Sequence, residues 1–316
     1  MVETAPRIAV VGAGMAGLTC ARDLARRGAR VVVFDKGRGL GGRMATRRAE
    51  GGFQFDHGAQ YLTARGDGFA SLLARAETDG ALARWPKDVD KPAYVGVPGM
   101  TGFAKYLSTG IDIHRATRIE SIRRSDGRWL LEREGESDSF DRVVLALPAP
   151  QITEMLPDLT ELHAPLAAVG MAPCLTLMVG LDGAVGMPFG HRRAPDAAIS
   201  WIACDSDKPA RPDATCIVAQ ASADWSVRHL ELEKDAFAQK MLPMLADAIG
   251  AEVLRDPAYV SGHRWRYAFV SGPLGQPFVT DRSGTLFAGG DWCLGAKAEH
   301  AWESGKAMAE AVYAGL

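Results

Sequence analysis

Near the start of the sequence an unbroken apolar run, Ile8 to Val11, is followed by Gly12, Gly14 and Gly17 and then by an Ala/Leu/Arg stretch, Leu18 to Arg27. A short β-branched run stopped by glycine reads as a buried strand, and the stretch after it has helical spacing. A second run, Arg30 to Phe34, reads as another strand and ends at Asp35. The pattern predicts strand, turn, helix and strand, with the glycines at G-x-G-x-x-G spacing in the turn.

Farther along, Phe53-Gln54-Phe55 alternates as a strand does before Asp56-His57-Gly58 enters a loop. Helical spacing runs from Phe69 to Leu82, Trp85-Pro86 to Pro92 reads as a charged, proline-containing loop, and Pro98-Gly99-Met100 turns into a short helix ending near Leu107. Ile111 to His114, Arg118 to Arg123 and Trp129 to Glu134 read as strands, the last two joined by a Ser125-Asp126-Gly127 hairpin turn. Arg142 to Leu147, stopped by Pro148, returns the chain to the first sheet. Between Pro150 and Gly272 come four strand-like runs (Cys174 to Leu181, Ala198 to Ala203, Thr215 to Ser222, Tyr259 to Phe269) and one helix, Leu230 to Ile249, interrupted at Pro243. Leu286-Phe287-Ala288 then reads as a buried strand, Gly289-Gly290-Asp291 as a sharp turn and Glu299 to Ala314 as a helix rich in small residues. The predicted class is α/β: a Rossmann-type nucleotide-binding domain (residues 1–65, 99–150 and 275–316) and a second α+β domain on an antiparallel sheet (66–98 and 151–274).

Composition removes several classes of function. With 36 basic against 38 acidic residues the net charge is -2, so no broad footprint for nucleic acid is expected. The pairs Arg26-Arg27 and Arg47-Arg48 are too short to change that and read as solvated surface. No apolar segment reaches membrane-spanning length, and the first apolar run is already the nucleotide-binding strand, which leaves no room for a signal peptide; a cytoplasmic enzyme is expected. Five scattered cysteines, none in C-x-x-C spacing, argue for reduced thiols over a disulfide framework, a zinc site or a dithiol redox pair. The chain also lacks a G-x-S-x-G elbow, an H-E-x-x-H pair and a Walker lysine. Redox chemistry by a cofactor is what remains.

The glycine turn has the chemistry of a pyrophosphate site. Gly12 permits the tight turn, Gly14 presents no Cβ to a phosphate, Gly17 lets helix and strand pack, and the helix N-terminus supplies N–H donors with a partial positive charge. Asp35 can accept both ribose hydroxyls. Lys36 to Met44 has four glycines within residues 37–42, and a second phosphate-facing loop fits there, with Arg43 pairing a phosphate oxygen. In the second domain, Trp201, Trp225, His263 and Trp265 gather flat groups suited to lining a pocket, and Arg264 and Arg266 fall on the opposite strand face, to meet either substrate phosphates or, as the default reading, solvent. Met100 is either core or a lid over the ligand. Cys293 reads as a small buried thiol.

This combination resembles the FAD-binding half of the flavin amine oxidase superfamily and, within it, the renalase-like flavoproteins. The resemblance is carried by Gly12 to Gly17, Gly41-Gly42-Arg43-Met44, Asp56-His57-Gly58-Ala59-Gln60-Tyr61, Pro98-Gly99-Met100, His263 to Ala268 and Gly289-Gly290-Asp291-Trp292-Cys293. Asp35 departs from it, standing where many relatives carry the longer glutamate. The resemblance implies a flavin amine oxidase/p-hydroxybenzoate hydroxylase-like two-domain architecture and one non-covalent FAD. Its contacts would be Gly12, Gly14, Met15, Ala16, Gly17, Asp35, Lys36, Gly42, Arg43, Met44, His57, Gly58, Ala59, Gly290, Asp291 and His300. Asp291 would hold the ribityl chain, and the last helix would aim its N-terminus at the pyrimidine side of the flavin, stabilising the negative charge of the reduced ring. Gln60, Tyr61, His263, Trp265 and Trp292 would face the substrate, although a hydrogen-bonded structural role is the favoured reading of His57. The implied reaction is oxidation of a dihydronicotinamide dinucleotide, reduced at the 2 or 6 position, to NAD(P)+, with O2 reoxidising the flavin to give H2O2. Two other readings stay open: an amine oxidase or desaturase on the same scaffold, and a nucleotide-binding regulatory protein without turnover.

Overall fold

The computed structural model describes residues 5–85 and 92–316, so most of the loop expected from Trp85 to Pro92 lies outside the described residues. The chain divides into two compact units, one made of Met1–Gly42, Ala104–Met171 and Val270–Leu316, the other of Arg43–Phe103 and Ala172–Phe269. These bounds differ from the expected domains: residues 43–65 and 99–103 pack in the second unit, and 151–171 and 270–274 in the first. Hydrogen bonds show why the early segment belongs there. The Gln54 N–H meets Cys216 Sγ at 3.5 Å and the Asp56 N–H donates to Asp205 at 2.7 Å, both partners lying in the antiparallel half of the chain.

The first unit is organised on a six-stranded sheet in the order Val279–Thr280, Leu286–Ala288, Arg142–Leu145, Arg7–Val11, Arg30–Phe34, Asp112–His114. All neighbours are parallel except the Val279–Thr280 edge. Ile8, Ala9 and Val10 have no exposed surface, as expected of a strand covered on both faces, which is why it reads as a continuous apolar run and not an alternating one. Val11 pairs with Leu145 and Leu145 with Ala288, so the Gly12 turn and the Gly289-Gly290-Asp291 turn leave the same carboxyl edge of the sheet. Two helices follow these turns, Met15–Arg26 and Ala298–Ala314. They pack closely enough that a Cβ on Gly305 would lie 2.4 Å from the Ala16 carbonyl oxygen.

A three-stranded antiparallel sheet, Ser121–Ser125, Arg128–Arg133 and Glu136–Phe140, completes this unit. Its first turn places Asp126 and Gly127 at φ 49° and 77°, a backbone that suits the right-handed twist of a two-residue hairpin. The third strand was not expected: its sequence, ESDSF, is polar because it lies at a sheet edge, and only Phe140 is fully buried. The core joins Trp129, Phe140, Leu145 and Trp292.

The second unit is built on a five-stranded sheet in the order His191–Arg193, Ile199–Cys204, Thr215–Ala221, Gly170–Leu181, Tyr259–Gly272. Leu177, Val179, Ile217 and Ala219 alternate onto one face and bury against Phe237, Met241 and Leu245 of the Lys234–Ile249 helix. The helix expected from Leu230 begins four residues later, at Lys234, and is not interrupted at Pro243; a separate short helix precedes it. Ala223–Arg228 starts under a Ser222 cap, whose hydroxyl accepts the Trp225 N–H at 3.3 Å, and Lys234–Ile249 continues through Pro243 to a left-handed Gly250 at φ 74°. Two short hairpins, Thr46–Arg48 with Gln54–Asp56 and Leu82–Arg84 with Tyr94–Gly96, also belong here. Among the described residues, no helix is long and apolar enough to cross a membrane.

Candidate functional site

In the first unit, the glycine turn has the form of an anion cradle. A Cβ on Gly17 would lie 1.9 Å from the Gly12 carbonyl oxygen, so only glycine lets the helix start this close to the strand. At Gly14 the opposite holds: nothing lies within 4 Å of where a Cβ would be, so the space outside the turn is open. The Met15–Arg26 helix has no side-chain cap and no acid in its first turn, which leaves its N-terminal N–H groups and partial positive charge for a ligand. Met15 and Ala16 are buried within the turn. Asp35 accepts the Ala13 N–H at 2.6 Å through one oxygen and the Gly37 N–H at 2.6 Å through the other, which ties the two loops together. Each oxygen keeps a lone pair for a hydroxyl. Gly42 lies beside the same turn, where its Cβ would come within 3.6 Å of the Gly14 Cα, while Lys36 is exposed and reaches Gln151 at 3.4 Å.

At the other end of the same sheet edge, the Gly290 N–H donates to Ser304 Oγ at 3.0 Å, which fixes the Gly289-Gly290-Asp291 turn to the last helix. Asp291 accepts the Trp292 N–H at 2.9 Å. The Ala298–Ala314 helix has no side-chain cap, and in its first turn the buried Nδ1 of His300 has no hydrogen-bond partner. An uncapped helix end and an unsatisfied buried nitrogen are what a bound polar group would satisfy. This edge therefore fits a dinucleotide with phosphates at one turn and a second polar group at the other. Trp292 requires a correction. It was expected to face substrate, but it has no exposed surface and its Nε1 donates to the Leu147 carbonyl at 2.9 Å, so it is core. Cys293 is buried beside it, and burial pushes its thiol up to about 12.

The second unit gathers the remaining expected residues. A Cβ on Gly58 would lie 2.0 Å from the Arg43 carbonyl oxygen, and that oxygen accepts the Ala59 N–H at 2.8 Å. The Arg43 guanidinium donates to the Ala268 carbonyl at 3.0 Å, and Met44 is buried. Trp265 stacks on His57 with ring centres 5.2 Å apart, and its Nε1 donates to the His57 carbonyl at 2.9 Å. His263 meets His57 edge-on at 4.5 Å and Trp265 at 4.3 Å. Burial, outweighing a hydrogen bond with the Phe55 backbone, pushes His57 down to about 4; burial and the neighbouring His57 push His263 down to about 3. Both rings are neutral near pH 7. Tyr61 lies 5.7 Å from Trp201, which stacks on His191 at 5.0 Å, whereas Trp225 stacks on His229 inside the sheet-and-helix core.

Gln60 also differs from expectation. Its amide nitrogen donates to the carbonyls of Asp56 and Gly58, and its oxygen accepts from Lys208 Nζ at 3.2 Å, so its polar atoms are turned inward and shape the loop. Met100 resolves to core, fully buried, with its N–H donating to Asp56 Oδ1 at 2.9 Å. Arg264 and Arg266 are not simply solvated: the first donates to the Leu232 carbonyl and the second forms a two-pronged pair with Glu231 at 2.7 and 3.0 Å.

Beneath this loop lies a group of residues that motif reading missed. Asp56, Asp205 and Lys208 have fully buried side chains and that of Arg211 is 1 % exposed. Asp56 accepts from Thr46 Oγ1 at 2.7 Å, from Lys208 Nζ at 3.4 Å and from Arg211 at 2.5 Å, while Lys208 also pairs with Asp205. Burial works to raise the Asp56 pKa, but Lys208, Arg211, the Met100 N–H and the Thr46 hydroxyl together hold it below the usual carboxylate range. The only sequence signal was Asp56 itself, at the head of the loop; its partners lie about 150 residues away.

Fold and turns together define a flavin-binding oxidoreductase. Residues 82–313 match the family of flavin-containing amine oxidoreductases, to which the chain belongs, and residues 10–76 match an NAD(P)-binding Rossmann-like domain. The chain is similar to renalase from Mus musculus, with 26% identity over 310 residues covering 89% of this chain and 88% of that one. Among solved structures it resembles a protein from Exiguobacterium assigned as a protoporphyrinogen oxidase (TM-score 0.76, 16% identity, 99% of this chain and 100% of that chain). It also resembles cyclohexylamine oxidase from Brevibacterium oxydans (TM-score 0.71, 12% identity, 98% and 99%). At such identities the structural likeness speaks for the fold.

Proposed function

We propose that the protein is an FAD-dependent oxidase that converts 2- or 6-dihydronicotinamide isomers of NAD(P)H to NAD(P)+, with O2 as acceptor and H2O2 as product. The similarity to renalase along nearly the whole of both chains carries this reading. The Gly12–Gly17 amides would hold the FAD pyrophosphate, Asp35 the ribose, and Asp291 with the N-terminus of the last helix the ribityl and pyrimidine end. A Cys293 thiol kept protonated by burial supports non-covalent binding. FAD, when bound, supplies the hydride acceptor and hands the electron pair to O2.

The side chains of the second unit suit a substrate that needs no base. A dihydropyridine releases hydride with the push of its own ring nitrogen, becoming the aromatic pyridinium, so the protein must orient a planar ring and exclude water. Trp265, His263 and Tyr61 offer flat, uncharged surfaces for that, and the neutral imidazoles of His57 and His263 carry no positive charge to oppose a pyridinium product. A cytoplasmic location fits a nicotinamide substrate. The test is anaerobic mixing of the flavin-loaded protein with 6-dihydroNAD and with simple amines while flavin absorbance is followed. Bleaching by the dihydronicotinamide is expected; bleaching by amines alone would make the protein an amine oxidase on the same scaffold.

A further inference from the structure

The second unit carries a cavity of about 590 Å3, lined by Arg47, Arg48, Glu50, Phe53, Asp182 and Tyr259 among others. Arg47 and Arg48 are exposed, and among the described residues neither forms an ion pair. Their strand, Thr46–Arg48, pairs with Gln54–Asp56, placing Arg47 opposite Phe55. Tyr259 stacks on Phe55 at 5.4 Å and lies 5.7 Å from Phe53, so the half-buried tyrosine ring is held rigid at the cavity wall. Two free guanidinium groups beside a fixed aromatic ring are the groups that recognise a nucleotide: forked donors for phosphate oxygens and a flat face for a base. Glu50 and Asp182, acceptors only, suit ribose hydroxyls.

The strand Tyr259–Gly272 sets the distance to the ring cluster. Alternate residues share a strand face, so Tyr259, His263 and Trp265 lie on one side, with His263 about 13 Å and Trp265 about 20 Å along from Tyr259. The distance of about 13 Å to His263 is within the reach of an extended dinucleotide whose base lies at Tyr259 and whose pyridine ring lies at that histidine. The positive charge of Arg47 also reaches that cluster, helping to hold both imidazoles neutral. We propose that the Arg47–Arg48–Tyr259 cavity is the subsite for the phosphate-bearing adenylate half of the substrate, making the enzyme selective for dinucleotides over the bare dihydronicotinamide riboside. The sequence pattern gave Arg47-Arg48 as solvated surface; the cavity and the ordered ring beside it assign the pair a ligand. This subsite rests on the reaction proposed above.

Isothermal calorimetry with ADP-ribose, on flavin-loaded protein so that the glycine turn is filled, tests it. Wild type is expected to bind, Arg47→Ala/Arg48→Ala to bind about tenfold more weakly, and Arg47→Lys/Arg48→Lys, which keeps the charge but loses the fork, to fall between the two. Tyr259→Leu is expected to weaken binding while leaving the arginine pair intact. Absence of ADP-ribose binding by wild type, or equal binding by the double alanine variant, overturns the subsite. The reaction is judged separately by anaerobic bleaching: bleaching without ADP-ribose binding keeps the oxidase and removes the subsite, whereas arginine-dependent ADP-ribose binding without bleaching keeps the subsite and removes the oxidase.

Discussion

Replacing Lys208 by methionine tests whether the buried charges beneath the 56–61 loop hold it in place. Lys208 Nζ stands 3.4 Å from Asp56 and pairs directly with Asp205, and all three side chains are wholly buried. At an effective dielectric of about 20, one such pair attracts by about 5 kcal/mol. Methionine removes that attraction, but it also removes the cost of desolvating an ammonium, and Asp56 keeps Arg211 as a partner. Asp205 loses its direct cation. The expected net loss is about 3 to 5 kcal/mol, the usual result of leaving one buried charge uncompensated. Urea unfolding of the flavin-loaded protein, followed by tryptophan fluorescence, measures it; Trp85 lies 5.3 Å from the Lys208 nitrogen and so reports locally. The pH dependence has a definite sign. An unpaired buried Asp205 has a folded pKa above its unfolded one, so the penalty is complete above the folded value and fades as pH falls through it toward the unfolded value. The deficit of Lys208→Met should therefore be large at about pH 8 and smaller at about pH 4. Adding Asp205→Asn should recover more than half of it, because asparagine is neutral and still accepts the Asp56 N–H, now 2.7 Å from Asp205. A Lys208→Met protein within about 1 kcal/mol of wild type, or a deficit that Asp205→Asn does not reduce, would refute the reasoning.

Three further outcomes separate ligand effects from folding effects. Gly14→Ala should unfold like wild type as apoprotein, since nothing of the protein lies within 4 Å of the new methyl, yet should purify with little flavin; an unchanged ratio of flavin to protein absorbance would remove the turn from the cofactor site. His57 and His263 have folded pKa values of about 4 and about 3 against 6.5 for a free imidazole, so their contribution to stability is complete above about 6.5 and is lost as pH falls through about 4 and then 3. An NMR titration finding either ring protonated near neutrality would contradict that placement. All five cysteines are buried, with Cys174 and Cys293 raised to about 12 and Cys216 to about 11 by burial, so a thiol reagent at neutral pH should label the native protein slowly and all five sites once urea is added.

The parts of this molecule that the sequence made legible are those specified by neighbours close in the chain. The G-x-G-x-x-G turn, the Asp126-Gly127 hairpin and the buried Leu286–Ala288 strand each follow from a few adjacent residues whose backbone or burial needs are local. Alternation in Tyr259–Gly272 likewise puts His263 and Trp265 on one face, and their rings stand 4.3 Å apart. What stayed hidden depends on partners far away. Trp292 carries an indole that periodicity cannot orient; the Leu147 carbonyl, 145 residues distant, draws it into the core. The inward turn of Gln60 is set by Lys208, 148 residues on, and that lysine sits in a stretch of ordinary polar composition that nothing in its own surroundings marks as buried. The expected 230–249 helix ends at Ile249 as its spacing predicts but starts at Lys234, after Glu233, and runs on through Pro243 without the expected interruption. A motif therefore names the loop that carries the candidate residues, whereas the direction each side chain takes from that loop is decided by charges and carbonyls that other parts of the chain bring beneath it.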